Sequence, residues 1–383
     1  MTAKIKAPFL IAMAVLLVGV FGAYTYGFTR VNEINTYYAG LLKPRKLAHA
    51  SGPHYWKDGR IFWCGRHYLE SSGDFGLTVK NEMRLPDGFK PPARSLSDHV
   101  LGDASSVYFS RNGEYRSVLF DFLCWYVCST PLRSGDLVIG EYGSRIYKLD
   151  FTTGQPTLLF NKPAAARHFH FTAVDPFTDE IYVGLGDALK KYERLGDRVT
   201  GIMRSKDQGH DWTWIYKTTV GSGEINRQPT SIYFEKDRIY FGSDSNPHGI
   251  FALDRRTDEI EQVFVMSDVL RSWFLAIVEA RGSYWALSRS FGKDNFGVLW
   301  WSGDSKSWTP VQFFSHVPFW LQTDEQHNLI SVGFGEERNY RLVKDGPVRV
   351  MTVPDRDTMA VRVRHGPTIT LLDRIFRRRI MPQ

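Results

Sequence analysis

Cysteine is scarce in this 383-residue chain, which holds Cys64, Cys124 and Cys128 and no others. An odd count excludes a fully paired disulfide framework. On an extended segment Cys124 and Cys128 would stand about 13 Å apart, too far to bridge each other. A bridge from Cys64 to one of them and reduced core thiols both stay open. No Asn-x-Ser/Thr sequon occurs, which fits a bacterial envelope better than a eukaryotic secretory route. Also missing are a Gly-rich phosphate loop, a His-Glu-x-x-His helix and a Gly-x-Ser-x-Gly elbow, so nucleotide, metalloprotease and serine-esterase chemistry have no anchor. The net charge of +7 is spread among acidic residues except in the stretch Arg374 to Arg379, a pattern that argues against nucleic acid as a partner.

What the chain has in quantity is apolar and aromatic mass, 43% and 14% of its residues, enough to bury a sizeable core. Its charge-free run from Pro8 to Phe28 has 21 positions; as a helix it would span roughly 30 Å, the thickness of a bilayer core. Lys4 and Lys6 precede the run. The positive-inside tendency then leaves residues 1–7 cytoplasmic and carries the remainder across. A cleaved signal peptide is the competing reading, with a small-residue site near Val20-Phe21-Gly22, but the apolar run continues past it into aromatics suited to the interface. The expected organisation is a single-pass transmembrane anchor over 8–28, a juxtamembrane linker over 29–53, one large domain over 54–372 and a basic tail over 373–383. The domain is expected outside the cytoplasm, on the periplasmic side of a bacterial inner membrane.

Beyond residue 53 the chain reads as short aromatic and β-branched runs punctuated by Gly, Asp, Asn and Pro, with little helical periodicity, an all-β pattern. One phrase recurs, an apolar strand closing on glycine: Leu137-Val-Ile-Gly140, Ile181-Tyr-Val-Gly184, Ile239-Tyr-Phe-Gly242 and Ile330-Ser-Val-Gly333. Trp285-Ala-Leu-Ser288 and Ile61-Phe-Trp-Cys64-Gly65 are looser copies. From 140 to 184, 242, 288 and 333 the steps are 44, 58, 46 and 45, and a period of roughly 40 to 50 residues with four strands each is the signature of a β-propeller. Counting units near 120–160, 166–219, 228–266, 272–315 and 318–353, plus one from 54–118, predicts six blades, or seven because the first unit is long. Met359 to Leu372 is expected to return as a strand and complete the first blade.

A second motif lies within these units. Ser205-Lys-Asp207-Gln-Gly209-His-Asp211-Trp212 fits the pattern Ser-x-Asp-x-Gly-x-x-Trp, Ser72-Gly-Asp74-Phe-Gly76-Leu-Thr78-Val79 fits it with Val for Trp, and Ser302-Gly-Asp304-Ser-Lys-Ser-Trp308 is one residue short. Its physical logic is a tight turn: Ser and Asp side chains bond nearby amides, and Gly takes a conformation other residues avoid. In these motifs the chain resembles the Asp-box (BNR-repeat) propellers, a sialidase-like superfamily of glycoside-active and carbohydrate-binding proteins. The resemblance covers about residues 54–353. It implies that the boxes lie between third and fourth strands on the face away from the ligand, and that ligands bind at the opposite end of the central tunnel.

Residues entering the inner strands or leaving the second strands at that end are the candidates. Arg167 with His168, Arg227, and Arg271 with Trp273 enter inner strands; Glu141, Tyr142, Asp187, Asp244 and Arg289 leave second strands. Guanidinium groups gathered at one mouth suit a carboxylate, whose two oxygens match the planar fork of donors, and point to an acidic glycan. No cofactor is expected. His168 and His170 share a strand face by the period of two and with Asp187 could ligate a metal, but the flanking Phe169 and Phe171 suit blade packing, and no metal is expected. The sialidase pattern of an early Arg-Ile-Pro is departed from at Arg60-Ile61-Phe62. The leading reading is a membrane-anchored propeller that binds an anionic glycan or a protein partner, as an accessory to surface-polysaccharide production or processing. A sialidase-like hydrolase or lyase and a protein-interaction scaffold are the alternatives. The tail places Leu372, Ile375, Phe376 and Ile380 near one helical face with arginines around them, which suits an anionic lipid surface.

Overall fold

A computed structural model describes residues 29–367, apart from 53, 86, 88–99, 103–105, 112–113, 120–123, 128–130, 142–144, 165, 167, 187–198, 220–226, 246–247, 267–271, 291–295 and 339–340. The chain is an all-β six-bladed propeller. Its first four-stranded blade is built from β2 (His54–Lys57), β3 (Arg60–Cys64), β4 (Tyr68–Ser72) and β5 (Lys80–Arg84). The second holds β9 (Cys124–Val127), β10 (Leu137–Glu141), β11 (Arg145–Leu149) and β12 (Pro156–Asn161). In the third are β13 (His168–Val174), β14 (Ile181–Gly186), β15 (Val199–Ser205) and β16 (Thr213–Thr219). The fourth comprises β17 (Pro229–Phe234), β18 (Arg238–Ser243), β19 (Gly249–Asp254) and β20 (Ile260–Val265), and the fifth β21 (Ser272–Ala280), β22 (Ser283–Ser290), β23 (Gly297–Ser302) and β24 (Thr309–Phe314). Each is an antiparallel meander, and β13, β17, β21 and β25 (Val317–Thr323) pack successively beside one another as inner strands.

The sixth blade departs from the meander. It is ordered β1-β27-β26-β25, where β26 spans Leu329–Arg338, β27 spans Arg341–Thr352 and β1 is Arg45–Ser51. An N-terminal strand thus supplies the outermost position beside β27, the last strand among the described residues. This corrects two expectations. The stretch 29–53 is not a plain linker: residues 29–42 form helix α1 and Arg45–Ser51 closes the ring. Nor does the described part of Met359 to Leu372 return as a strand, since Arg356–Arg364 is helix α2, capped by Asp355, whose side chain accepts from the Thr358 amide at 2.8 Å; residues 368–372 lie outside the described residues. The long 54–118 unit also divides, giving the first blade and a separate three-stranded sheet, β6 (Val100–Gly102), β7 (Ser106–Arg111) and β8 (Glu114–Leu119).

The recurring apolar phrase occupies the second strand of each blade. In β10, β14 and β18 the consecutive residues are buried on both faces, because each blade is covered by a neighbour on either side, and two-sided burial reads as a continuous apolar run rather than an alternation. Outer strands carry exposed residues instead, as in β5 and β12. The closing glycine makes room for an aromatic side chain: a Cβ on Gly184 would fall 2.4 Å from the Phe171 ring, one on Gly242 2.4 Å from Phe274 Cβ, and one on Gly333 2.6 Å from Trp320.

All three box sequences form turns between third and fourth strands, at β4–β5, β15–β16 and β23–β24. Ser205 Oγ accepts from the Gly209 amide at 2.7 Å and donates to Asp207 at 2.8 Å, while Asp207 accepts from the Asp211 amide at 2.9 Å. Ser72 and Asp74 repeat this with the Gly76 and Thr78 amides at 2.7 and 2.9 Å. Gln208 and Phe75 have φ of 58° and 61°, followed by Gly209 and Gly76 at 99° and 85°, a succession of left-handed residues that favours glycine. In the shortened third turn Asp304 takes the Lys306 and Ser307 amides at 2.9 and 2.7 Å. Trp212 and Trp308 donate to the Gly209 and Ser305 carbonyls at 3.0 and 2.9 Å.

Residues 1–28 and 368–383, hence the expected anchor and basic tail, lie outside the described residues. No helix among the described residues is long and apolar enough to cross a membrane. Cys64 is buried at the end of β3, and Cys128 lies outside the described residues.

Candidate ligand-binding mouth of the propeller

The box turns fix which end of the tunnel is which. On their face the inner-to-second connections are short, such as 58–59, 235–237 and 281–282. They are also stitched between blades. Arg255 of the fourth blade pairs with the buried Asp175 of the third while its guanidinium lies 5.5 Å from the Phe177 ring and 5.7 Å from the Phe234 ring. Arg204 chelates Asp258 at 3.0 and 2.9 Å. The Arg281 side chain donates to the Val353 carbonyl at 3.0 Å. The opposite face carries the outer-to-inner and second-to-third connections, among them the long stretches 85–99, 187–198 and 220–228. Long connections on one face of a latched scaffold are where sites are grown.

Five inner strands share a further feature at that mouth, a register shift against the second strand. It falls between residues 169 and 171, between 229 and 231, between 274 and 276 and between 318 and 320, and in β9 between 124 and 126. A bulge of this kind re-aims one side chain and leaves a backbone position unpaired. The side chains re-aimed include His170, Thr230 and Phe319. Thr230 donates to the Phe274 carbonyl of the next blade at 2.7 Å.

His168 and His170 do come together, with ring centres 5.0 Å apart, and both are buried. His170 Nδ1 meets the Pro229 carbonyl of the fourth blade at 2.9 Å, and a Cβ on Gly186 would fall 1.9 Å from its ring. The pair therefore packs into a blade junction. Asp187, the third residue of the set, lies outside the described residues, and no group of three metal-ligating side chains occurs among the described residues.

Arg227 is held over aromatic faces, its guanidinium carbon 5.4 Å from the Phe251 ring and 5.9 Å from the Tyr216 ring. Burial first, and then the neighbouring Asp244 carboxylate, push the Tyr216 hydroxyl well above its ordinary pKa, against an opposing pull from Arg227. Arg289 is clasped more tightly, 4.9 Å from the Trp273 ring and 5.0 Å from the Phe319 ring. Trp273 is its register partner across β21 and β22, and Phe319 is the bulged residue of the next inner strand. Each cation rests on rings from more than one strand, an arrangement that fixes its direction. Glu141 behaves differently, taken up by Arg145 at 2.7 Å. Arg167, Arg271 and Tyr142 lie outside the described residues.

Tyr216, Phe251 and Phe319 are the site residues that sequence reasoning missed. Tyr216 belongs to an outer strand and Phe251 to a third strand, positions remote from the tunnel in a simple count, and Phe319 reaches Arg289 because a bulge breaks the period of two.

No protein-family model and no curated protein matches the sequence. Solved structures do match. The extracellular domain of BT4673 from B. thetaiotaomicron, assigned as a hybrid two component system, is 16% identical with a TM-score of 0.51 over 75% of this chain, which spans 37% of that one. A chain of the Mitotic Checkpoint Complex is 11% identical with a TM-score of 0.56 over 82% of this chain and 94% of its own. The tricorn protease is 13% identical with a TM-score of 0.50, covering 76% of this chain and 32% of its own. At these identities the likeness is one of fold. The fold and these likenesses together define an all-β six-bladed propeller.

Proposed function

We propose that the protein is a membrane-anchored propeller whose mouth binds an acidic glycan on the extracytoplasmic side. The observation that carries this reading is the clasp of Arg289 between Trp273 and Phe319. Two rings hold the planar guanidinium fork in one direction, a geometry matched to a carboxylate, and offer apolar faces to a sugar. Arg227 on Tyr216 and Phe251 adds a second cation of the same build at the same mouth. The compartment follows from Lys4, Lys6 and the charge-free run Pro8 to Phe28. The Asp-box turns, formed by Ser72, Ser205 and Ser302 with their aspartates, support the resemblance to carbohydrate-handling propellers. Binding is favoured over hydrolysis because glycosidases need two carboxyl groups about 5 to 9.5 Å apart with one held protonated, and Glu141 is instead engaged by Arg145.

The test is isothermal titration of the full chain in detergent with an oligouronate and with a neutral glucan of equal length. The oligouronate should bind, the glucan should not, and Arg289→Ala should weaken binding by at least about tenfold, in line with 1.5–3 kcal/mol for a charged hydrogen bond. Equal binding of both sugars, or an oligouronate affinity untouched by Arg289→Ala, would overturn the reading.

A further inference from the structure

We infer that the propeller is held with its mouth, rather than its box face, toward the membrane. This rests on the anchor reading of Pro8 to Phe28 and adds an orientation to it. Two helices, α1 and α2, pack on the fifth and sixth blades. Helix α1 ends at residue 42 and passes through Lys43 and Pro44 into β1. The first residue of β1, Arg45, lies 5.2 Å from the ring of Phe75 in the first box turn, so the C-terminal end of α1 sits at the box face. Midway along α1, Asn35 accepts from the Phe313 amide at 2.7 Å and donates to the Phe313 carbonyl at 3.1 Å. Phe313 is next to the last residue of β24, and fourth strands run from the box face to the mouth. Helix α1 therefore descends from mouth to box face, and its N-terminal end points to the mouth.

Helix α2 runs the other way. Its first residue, Arg356, has Nε 3.5 Å from where a Cβ on Gly303, in the third box turn, would fall. Near its far end, Tyr37 Oη donates to the Arg362 carbonyl at 3.1 Å, Arg362 donates back to the Tyr37 carbonyl at 3.0 Å, and the guanidinium covers the Tyr37 ring at 3.7 Å. Gly40 and Leu41 of α1 line one groove together with Asp357, Thr358 and Arg362 of α2. The helices are antiparallel, so α2 rises toward the mouth as α1 descends.

Both ends of the described chain thus leave on the mouth side, and both lead into sequence suited to a bilayer. In the sequence the charge-free run ends at Phe28, directly before Thr29 of α1. The basic stretch Arg374 to Arg379 follows α2 by about ten residues, within about 35 Å even when fully extended. An apolar span and a basic segment attached in sequence to chain ends on one side of a domain would hold that side to an anionic surface. The acidic glycan that reaches the mouth is then one presented close to the bilayer.

The experiment places a photo-crosslinking amino acid singly at His67 or Ser315, exposed at the mouth, or at His210 or Arg256, exposed at the box face. The full-length chain is reconstituted into phosphatidylcholine–phosphatidylglycerol vesicles, floated on a gradient and irradiated. The inference predicts lipid adducts several-fold more abundant from 67 and 315 than from 210 and 256. Flotation with equal or greater adducts from the box face overturns the orientation and leaves the anchor reading standing. Failure of the chain to float overturns the anchor reading and the orientation with it.

Discussion

Arginine does two different jobs in this molecule, and its neighbours decide which. Arg255 meets the buried carboxylate of Asp175 and locks two blades together, whereas Arg289 meets aromatic faces from two blades. The first is an internal latch; the second is held in direction by the rings it lies on. A similar contrast separates the histidines. His54 is fully buried at the closing seam, with Nε2 2.7 Å from Ser331 Oγ and Nδ1 3.3 Å from the Gly52 carbonyl. Burial holds its pKa down to about 4 against an ordinary 6.5. Because the unfolded chain takes up this proton first, stability falls as pH drops from 6.5 and the full loss is reached below about 4. The shift corresponds to about 3 kcal/mol. Thermal melts between pH 7 and 4 should show the fall, and His54→Gln, which has no proton to gain, should flatten it. A wild-type melting temperature level across that window would contradict the assignment. The box carboxylate Asp74, lowered to about 2 mainly by its bond from the Thr78 hydroxyl, titrates below this window.

Elements at the two ends of the chain hold the ring shut. β1 is the outer strand of the sixth blade, paired as Arg45 with Val350 and Lys46 with Arg349. Ile34, Tyr38 and Leu42 of α1 and Met359 of α2 are buried in the cluster that joins the fourth, fifth and sixth blades, and Asn35 bonds the Phe313 amide and carbonyl of the outer strand β24. A chain beginning at residue 54 lacks both devices. It is expected to melt at least about 10 °C below the full-length protein and to aggregate, as checked by differential scanning fluorimetry and light scattering; a truncated chain as stable as the whole would refute this role for β1. The blades themselves were legible in the sequence because two-sided burial leaves continuous apolar runs that end in glycine, and the box turns because their chemistry is local. The closing elements were harder. Ile34, Tyr38 and Leu42 recur every fourth residue, a helical signal diluted by the polar residues between them. The alternation in Met359-Ala-Val-Arg-Val-Arg364 imitates a strand, and only the Asp355 cap argues for the helix that forms. Bulges at the mouth leave no trace in spacing, which is why Phe319 was missed beside Arg289.

At the scale of the whole molecule the two faces of the disc divide the labour. Box turns, short connections and the Arg255–Asp175 and Arg204–Asp258 pairs make one face a brace. The other face carries the long connections, the bulged inner strands and the ring-backed arginines. Hydrogen–deuterium exchange on the full chain, with and without an oligouronate, separates the two faces. Exchange should slow in β17, β21 and β22 at the mouth and stay unchanged in the turns 206–212 and 303–308. Slowing confined to those turns, or none anywhere at saturating ligand, would contradict this division.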